Sequence, residues 1–119
     1  MAFAAQFLVA TAAQSAESPW AGAVEIKASW APALVVALRE FQAHQGTKTD
    51  KGEPVYGDLR HYTIEMIPHG HILRVTFGPE LSPRDVRNHT LGGRTDYGIE
   101  VSYDVSLKTL KIVKTSWAR

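Results

Sequence analysis

Several common ingredients of functional sites are missing from this chain. It contains no cysteine, which excludes disulfide bonds, thiol nucleophiles and cysteine-ligated metal centres. No apolar run approaches the roughly 20 residues of a membrane-spanning helix, so the sequence predicts no membrane span. Neither sign of charge dominates, because 13 basic and 12 acidic side chains leave a formal charge of +1. This balance gives no support to a nucleic-acid partner.

Charge is also scarce at the start of the chain, where no basic residue precedes Lys27 and no acidic residue precedes Glu17. Residues 1–18 run from an apolar stretch into small polar residues, with Ala13-Gln14-Ser15 as a candidate cleavage site. Such a segment is typical of a secretory signal peptide, although the usual positively charged leader is missing. Two interpretations stay open: residues 1–18 are removed on export to the periplasm or the medium, or they form an N-terminal helix of a cytoplasmic protein. Residues 19–119 are predicted to form a single α+β domain.

The most regular pattern in the chain lies between His61 and Phe77, on either side of His69-Gly70. Apolar and polar side chains alternate along both arms, as they do in strands that bury one face. A two-residue turn at His69-Gly70 would place apolar residues together on one face and opposite charges together on the other. The predicted cross-strand pairs are Tyr62 with Phe77, Ile64 with Val75, Met66 with Leu73 and Glu65 with Arg74.

A helix is predicted from Pro32 to Gln45. Proline suits the first turn of a helix, because its missing N–H would have no partner there. Leu34, Leu38 and Phe41 recur at the helical spacing and predict one apolar face. Gly46 follows as a natural terminator, since glycine adopts the left-handed conformation without a side-chain clash.

A second pair of strands is predicted at the end of the chain, over residues 99–104 and 110–117. The last strand is ambiguous, because Ile112 implies one buried face and Trp117 implies the other. The element order of one helix and four strands predicts an α+β fold. In this fold the amphipathic helix packs on a four-stranded antiparallel sheet and covers its apolar face.

This order of elements, over Val24–Trp117, resembles the cystatin-like architecture, in which a helix packs on a curved antiparallel sheet. The inhibitory cystatins carry a Gln-x-Val-x-Gly signature at a hairpin tip, whereas the tip here is Pro68-His69-Gly70-His71. Inhibition of cysteine proteases is therefore not implied. The resemblance implies a small binding or inhibitory module, of a group that bacteria often export.

The long loop between Gly78 and Asp96 is the first candidate binding site. Its Gly92-Gly93 pair would let backbone N–H groups converge on an anion, and arginines recognise carboxylate or phosphate. The alternative interpretation is an ordinary surface loop with solvated charges. The candidate binding residues of this loop are Arg84, Arg87, His89 and Arg94.

The hairpin tip is the second candidate binding site, through His69 and His71. A metal centre is not predicted there, because a metal needs three or four convergent ligands and His61 lies at the opposite end of the hairpin. In the alternative interpretation, His69 fills the turn and His71 caps the edge of the core. No metal and no cofactor is assigned, and the expected ligand is a protein partner or a small anionic molecule.

The case for an enzyme rests on several carboxylates and on Tyr56 and Tyr97, which could line a cavity between helix and sheet. No triad or carboxylate pair has a defensible geometry, so no catalytic residue is assigned. We therefore predict a non-enzymatic binding or inhibitor-type module. Two alternatives stay open, a cavity-bearing enzyme of the cone-shaped helix-on-sheet type and a structural exported protein. The carboxylates considered for catalysis are Asp58, Glu65, Asp96, Glu100 and Asp104.

Overall fold

The computed structural model describes residues 22–118, and the predictions for residues 1–18 concern a segment outside this range. Two short 3₁₀ turns, Ala28–Trp30 and Leu59–His61, precede the main helix and the first strand. The helices are α1 (Ala31–His44) and α2 (Pro83–Arg87). The strands are β1 (Tyr62–His69), β2 (Ile72–Pro79), β3 (Arg94–Thr95), β4 (Gly98–Ile99), β5 (Val101–Ser106) and β6 (Ile112–Trp117).

Four of these strands form one antiparallel sheet in the order β1-β2-β5-β6. The short strands β3 and β4 pair separately, within the connection from α2 to β5. Helix α1 contacts the two central strands, β2 and β5, and covers one face of the sheet. The predicted α+β fold, one helix on a four-stranded antiparallel sheet, is therefore confirmed, as is the element order behind the cystatin-like resemblance. No helix within residues 22–118 combines the length and the apolar character needed to cross a membrane.

Helix α1 agrees with the predicted helix to within one residue at each end. Its fully buried positions are Ala33, Ala37 and Phe41, while Leu34 and Leu38 are half-buried beside them. The buried stripe is thus centred one residue earlier than the leucines, on two alanines that let the helix backbone lie close to the sheet. Gly46 ends the helical region with a left-handed φ of +95°, and its N–H donates to the Tyr56 carbonyl at 2.8 Å.

The turn between β1 and β2 lies one residue later than predicted. Its two loop residues are Gly70 and His71, because His69 pairs with Ile72. Gly70 has a φ of +61°, and a left-handed first residue is what a glycine-first hairpin turn requires. The interpretation that His69 fills the turn is therefore wrong. The observed pairs are Tyr62 with Pro79, Ile64 with Phe77, Met66 with Val75 and Pro68 with Leu73.

This shift of two residues in register keeps every side chain on its predicted face, because side chains alternate with a period of two. Leu73, Val75 and Phe77 are accordingly fully buried against α1. Strand β1 is an edge strand and is covered less well, so that Ile64 is 40% exposed. Pro68 is tolerated in this strand because an edge strand does not need every backbone donor.

The predicted pair of Glu65 with Arg74 is wrong in the observed register. Glu65 lies opposite Thr76, and Arg74 lies opposite Ile67 on one side and Asp104 of β5 on the other. Arg74 donates two hydrogen bonds to Asp104, at 2.7 Å from Nε to Oδ1 and 3.1 Å from Nη2 to Oδ2. Arg74 therefore pairs with Asp104 on β5, 30 residues away in the chain, and not with Glu65 on β1.

A β-bulge resolves the ambiguity of the last strand. The register between β5 and β6 shifts at Asp104/Val105, so that Val105 pairs with Ile112 while Asp104 pairs with Lys114. Val113 is the extra residue and is 59% exposed. Because a bulge reverses the alternation, both Ile112 and Trp117 lie on the covered face of the sheet.

An aromatic cluster fills the space between α1 and the sheet. Phe41 stacks on Phe77 with ring centroids 4.7 Å apart and meets Tyr62 edge-on at 4.9 Å. The hydroxyls of Tyr56 and Tyr103 are hydrogen-bonded to each other at 3.0 Å inside this core. Every buried side-chain nitrogen and oxygen within residues 22–118 has a hydrogen-bond partner, which is the condition for burying polar groups cheaply.

Candidate functional site

The candidate binding residues fall at opposite ends of the sheet. His69 and His71 lie at the turn between β1 and β2, which we call the tip end. Arg84, Arg87, His89 and Arg94 lie in and after α2, beyond the other end of β2, which we call the α2 end. The eight residues of β2 separate the two groups by roughly 25 Å. The two predicted sites are therefore separate surfaces and cannot hold one small ligand together.

The α2 end is held together by hydrogen bonds among its own residues. Ser82 caps α2, its hydroxyl accepting from the Asp85 N–H at 3.0 Å while the Asp85 carboxylate accepts from the Ser82 N–H at 2.9 Å. The same carboxylate accepts from the Asp96 N–H at 3.0 Å. Asp85 thereby joins the start of α2 to the turn between β3 and β4.

Arg84 is part of the same network. Its guanidinium binds the Asp96 carboxylate through two nitrogens, with 3.1 Å from Nε to Oδ2. Asp96 also accepts from the Ser82 hydroxyl at 2.5 Å. The hydrogen bonds from Arg84, and then from Ser82, hold the pKa of Asp96 below its ordinary value. Arg84 is therefore already occupied by an internal carboxylate.

The other three candidates of this loop are exposed on the surface. Arg87 ends α2, Arg94 begins β3, and His89 has a left-handed φ of +57° in the turn that follows α2. Gly93 also has a positive φ, and its carbonyl accepts from the Glu100 N–H at 2.6 Å. The glycines therefore shape the backbone of the β3–β4 segment.

A groove lies at the tip end, on the outer face of the sheet away from α1. It has a volume of about 310 Å³ and combines two aliphatic walls with an imidazole and an ion pair. Ile67 and His69 come from β1, Ile72 and Arg74 from β2, and Asp104 from β5. All five side chains share the outer face because they occupy the alternate positions to the buried ones. The residues that line the groove are Ile67, His69, Ile72, Arg74 and Asp104.

Electrostatics in the groove are set by the Arg74–Asp104 ion pair. The hydrogen-bonded guanidinium of Arg74 holds the pKa of Asp104 below its ordinary value. The positive charge of Lys114 acts in the same direction. Asp104 is therefore ionised at neutral pH and is paired with Arg74.

The two hairpin turns at the tip end are fastened to each other. The Leu107 N–H donates to the His71 carbonyl at 2.7 Å, which ties the β5–β6 turn to the β1–β2 turn. Within the β5–β6 turn the Ser106 hydroxyl accepts from the N–H groups of Lys108 and Thr109, at 3.2 and 3.1 Å. His71 thus contributes its backbone to the support of the tip, while its side chain is exposed.

A further open cleft, of about 290 Å³, lies between the end of α1 and the segment that leads to β1. Its walls include Tyr56 and Asp58, and Asp58 is bound by Arg60. Hydrogen bonds from Arg60 lower the pKa of Asp58 to about 2. Tyr97, the second tyrosine considered for a cavity, instead stacks on the His61 ring at 4.0 Å.

Metal ligands do not converge in the part of the chain described, where no group of three or more histidine, aspartate or glutamate side chains could hold an ion. Sequence reasoning identified His69 but missed the rest of the groove. Ile67 and Ile72 could have been identified from the sequence, because they are apolar residues at strand positions that otherwise carry polar side chains. Asp104 had no local signal, because it reaches the groove only through the pairing of β2 with β5.

The fold and these surfaces define an α+β domain with a helix on one face of its sheet and an open groove on the other. Comparison of the chain with protein-family models, with curated proteins and with solved structures gave no match.

Proposed function

We propose that this domain is a small non-enzymatic binding module and that the groove at the tip end is its ligand site. The observation that carries the proposal is the composition of the groove, where aliphatic walls and a small number of fixed polar groups lie side by side. This combination is typical of sites that bind organic ligands, whose volumes begin at roughly 300 Å³. At about 310 Å³ the groove suits one small group or one side chain of a protein partner.

The tip end is a better candidate than the α2 end because its polar groups are attached to a rigid support. Three strands supply the groove residues, and sites on strands are held more firmly than sites on loops. At the α2 end Arg84 and Asp96 already bind each other. The Arg84 N–H groups that bind Asp96 are therefore not available to a ligand carboxylate or phosphate.

Catalysis has less support than binding. A general acid that works near neutral pH needs a raised carboxyl pKa, whereas the pKa values of Asp58, Asp96 and Asp104 are all lowered by arginine partners. Burial raises the pKa of Tyr103, but its hydroxyl is hydrogen-bonded to Tyr56 within the core. A tyrosine in that position serves packing.

Export remains part of the proposal and rests on the small-residue pattern before Ala16. Expression of the full chain in a bacterium, followed by mass spectrometry of the periplasmic fraction, tests it. A mature protein that begins at Ala16 is expected. Intact chain confined to the cytoplasm would contradict export without affecting the proposal for the groove.

The ligand site is tested by a fragment and short-peptide screen against the full chain, read by amide chemical shifts. Binders are expected to shift Ile67, His69 and Ile72. Ile67→Gln makes one wall of the groove polar and is expected to weaken such binders at least tenfold. Val86→Gln, a matched change at an exposed position of α2, should leave them unchanged. Binders whose shifts are confined to residues 82–96 would contradict the proposal.

A further inference from the structure

Three exposed lysines stand beside the groove. Lys108 lies in the β5–β6 turn, Lys111 directly before β6, and Lys114 in β6 opposite Asp104. Within residues 22–118 no carboxylate lies within salt-bridge distance of any of them. Asp104 lies opposite Lys114 on this face, and Arg74 already binds both of its oxygens. The tip end therefore carries positive charge that the described part of the chain does not neutralise.

Hydrogen bonds fix the backbone that carries these lysines relative to the strands that form the groove. The hydrogen bond from the Leu107 N–H to the His71 carbonyl joins the β5–β6 turn, which contains Lys108, to the β1–β2 turn beside the groove. The Ser106 N–H donates to the Lys111 carbonyl at 2.9 Å, which closes the β5–β6 turn. A ligand that met the lysines could therefore place a second group in the groove without reorganising the backbone, and such preorganisation favours binding.

The positive field of this surface extends into the groove. Lys114 lies opposite Asp104 and lowers its pKa, in addition to the dominant effect of Arg74. An anionic group beside the groove would meet the same field and would be attracted by it.

We propose that the tip end binds an acidic segment of a partner protein, with an apolar side chain of that segment in the groove and flanking carboxylates at Lys108, Lys111 and Lys114. This inference rests on the proposed function and specifies its ligand. The groove has room for one aliphatic side chain between Ile67 and Ile72. The lysines flank it on the side of β5 and β6.

The walls of the groove favour a protein segment over a single-stranded nucleic acid. Sites for single-stranded nucleic acids stack bases on aromatic side chains along a basic track. Ile67 and Ile72 offer aliphatic walls instead, and none of the groove residues is Phe, Tyr or Trp. An aliphatic side chain between carboxylates matches both the walls and the charge.

The test uses the full chain and a blocked pentapeptide with a central leucine and two glutamates on either side. Amide shifts are expected at Ile67, Ile72 and Lys111. Replacing the four glutamates by lysines, or the leucine by glycine, is expected to weaken binding at least tenfold. Raising the salt from about 50 to about 500 mM should also weaken binding, because exposed charges are screened.

Two double charge reversals locate the attraction. Lys108→Glu with Lys111→Glu is expected to weaken the acidic peptide at least tenfold. Lys48→Glu with Lys51→Glu makes the same change in net charge in the exposed loop after α1, and should leave binding within twofold of the unmodified chain. Equal losses from both pairs would show a non-specific charge effect and would overturn the inference.

The remaining outcomes separate this inference from the proposed function. Tighter binding of the lysine peptide at the tip end would overturn the acidic partner but leave the groove as a ligand site. Tighter binding of an oligothymidylate at the same amides would overturn the choice of a protein segment. If fragments bind the groove and no peptide does, the inference fails alone, whereas fragment binding only at residues 82–96 defeats both.

Discussion

The two ends of the sheet differ in how many of their charges are bound internally and in the surface that lies beside the remaining charges. At the α2 end Arg84, Asp96 and Asp85 are bound to one another or to backbone N–H groups, while Arg87 and Arg94 are exposed and form no salt bridge within residues 22–118. Among the described residues of the tip end, Arg74 and Asp104 form the one ion pair, and Lys108 and Lys111 are exposed near a groove with aliphatic walls. The α2 end has more arginines than the tip end, and its sequence is therefore more typical of an anion-binding site. Both ends therefore offer exposed cations to a partner, and at the tip end these cations lie near a groove with aliphatic walls.

The largest expected effect comes from the strand that joins the two ends. Val75 is completely buried in the middle of β2, so Val75→Asp would place an unpaired carboxylate in the core. Burying such a charge costs several kcal/mol, comparable to the net stability of a small domain. We expect an unfolded or insoluble product by circular dichroism and thermal melting. Thr63→Asp, at an exposed position of β1, is the folded control, and a normally folded Val75→Asp variant would refute the assignment of the buried face.

The next effect is confined to the α2 end. Ser82→Ala removes the hydroxyl that caps α2 and also donates to Asp96. Loss of a helix cap of this type costs about 1 kcal/mol. Urea unfolding should show this decrease, while amide shifts at the tip end stay unchanged. Thr115→Ala, at an exposed position of β6, is the matched control, and a Ser82→Ala variant as stable as that control would show that the cap contributes nothing.

Charge reversal should distinguish the two ends directly. Arg84→Glu breaks the pair with Asp96 and sets like charges beside Asp96 and Asp85, so a lower Tm is expected. Lys111→Glu removes a cation that has no carboxylate partner within the described residues, and surface changes of this kind stay within about 0.5 kcal/mol. Calorimetry of both variants checks the contrast. Equal falls in Tm would mean that the lysines of the tip end also have structural partners.

The smallest effect is a difference in acid sensitivity. The pKa of Asp96 is lowered in the folded state by Arg84 and Ser82, so its stabilising contribution is complete above its ordinary pKa near 4. That contribution is lost as the pH falls from about 4 through the lowered pKa of the folded state. Asp96→Asn should therefore reduce stability at pH 7 and flatten its decline below pH 4. Thermal melts at pH 7, 4 and 2.5 measure this, with Asp50→Asn in an exposed loop as control. An unchanged slope in Asp96→Asn would contradict the role given to this carboxylate.

Much of the fold was predictable because it depends on local periodicity. The helix follows from Pro32, the apolar spacing up to Phe41, and Gly46, and its observed range differs by one residue at each end. The buried face of β2 follows from strict alternation at Leu73, Val75 and Phe77, and it survives a wrong register because the error was two residues.

The errors came from single positions that set the relation between elements. The hairpin loop begins at Gly70 and not at His69, so every observed cross-strand pair differs from the predicted pair by two residues. The extra residue Val113 brought Ile112 and Trp117 onto one face, where simple alternation keeps them apart. Neither the position of the turn nor the bulge can be recognised from the pattern of hydrophobic residues. The groove could not be predicted for the same reason. Asp104 lies in the groove because β5 pairs with β2, and predicting that position requires the strand order and the register.

The class of the fold, the helix and the buried faces of the strands can be predicted from the order of residues, since the helical period of 3.6 and the strand period of 2 involve residues that are close along the chain. Which charged side chains form ion pairs depends on the folded structure. Arg74 forms an ion pair with Asp104, which is 30 residues away in the chain, and Arg84 forms one with Asp96, which is 12 residues away. The physical reason is that an ion pair depends on distance in space, and strand pairing brings together side chains that have no relation along the chain.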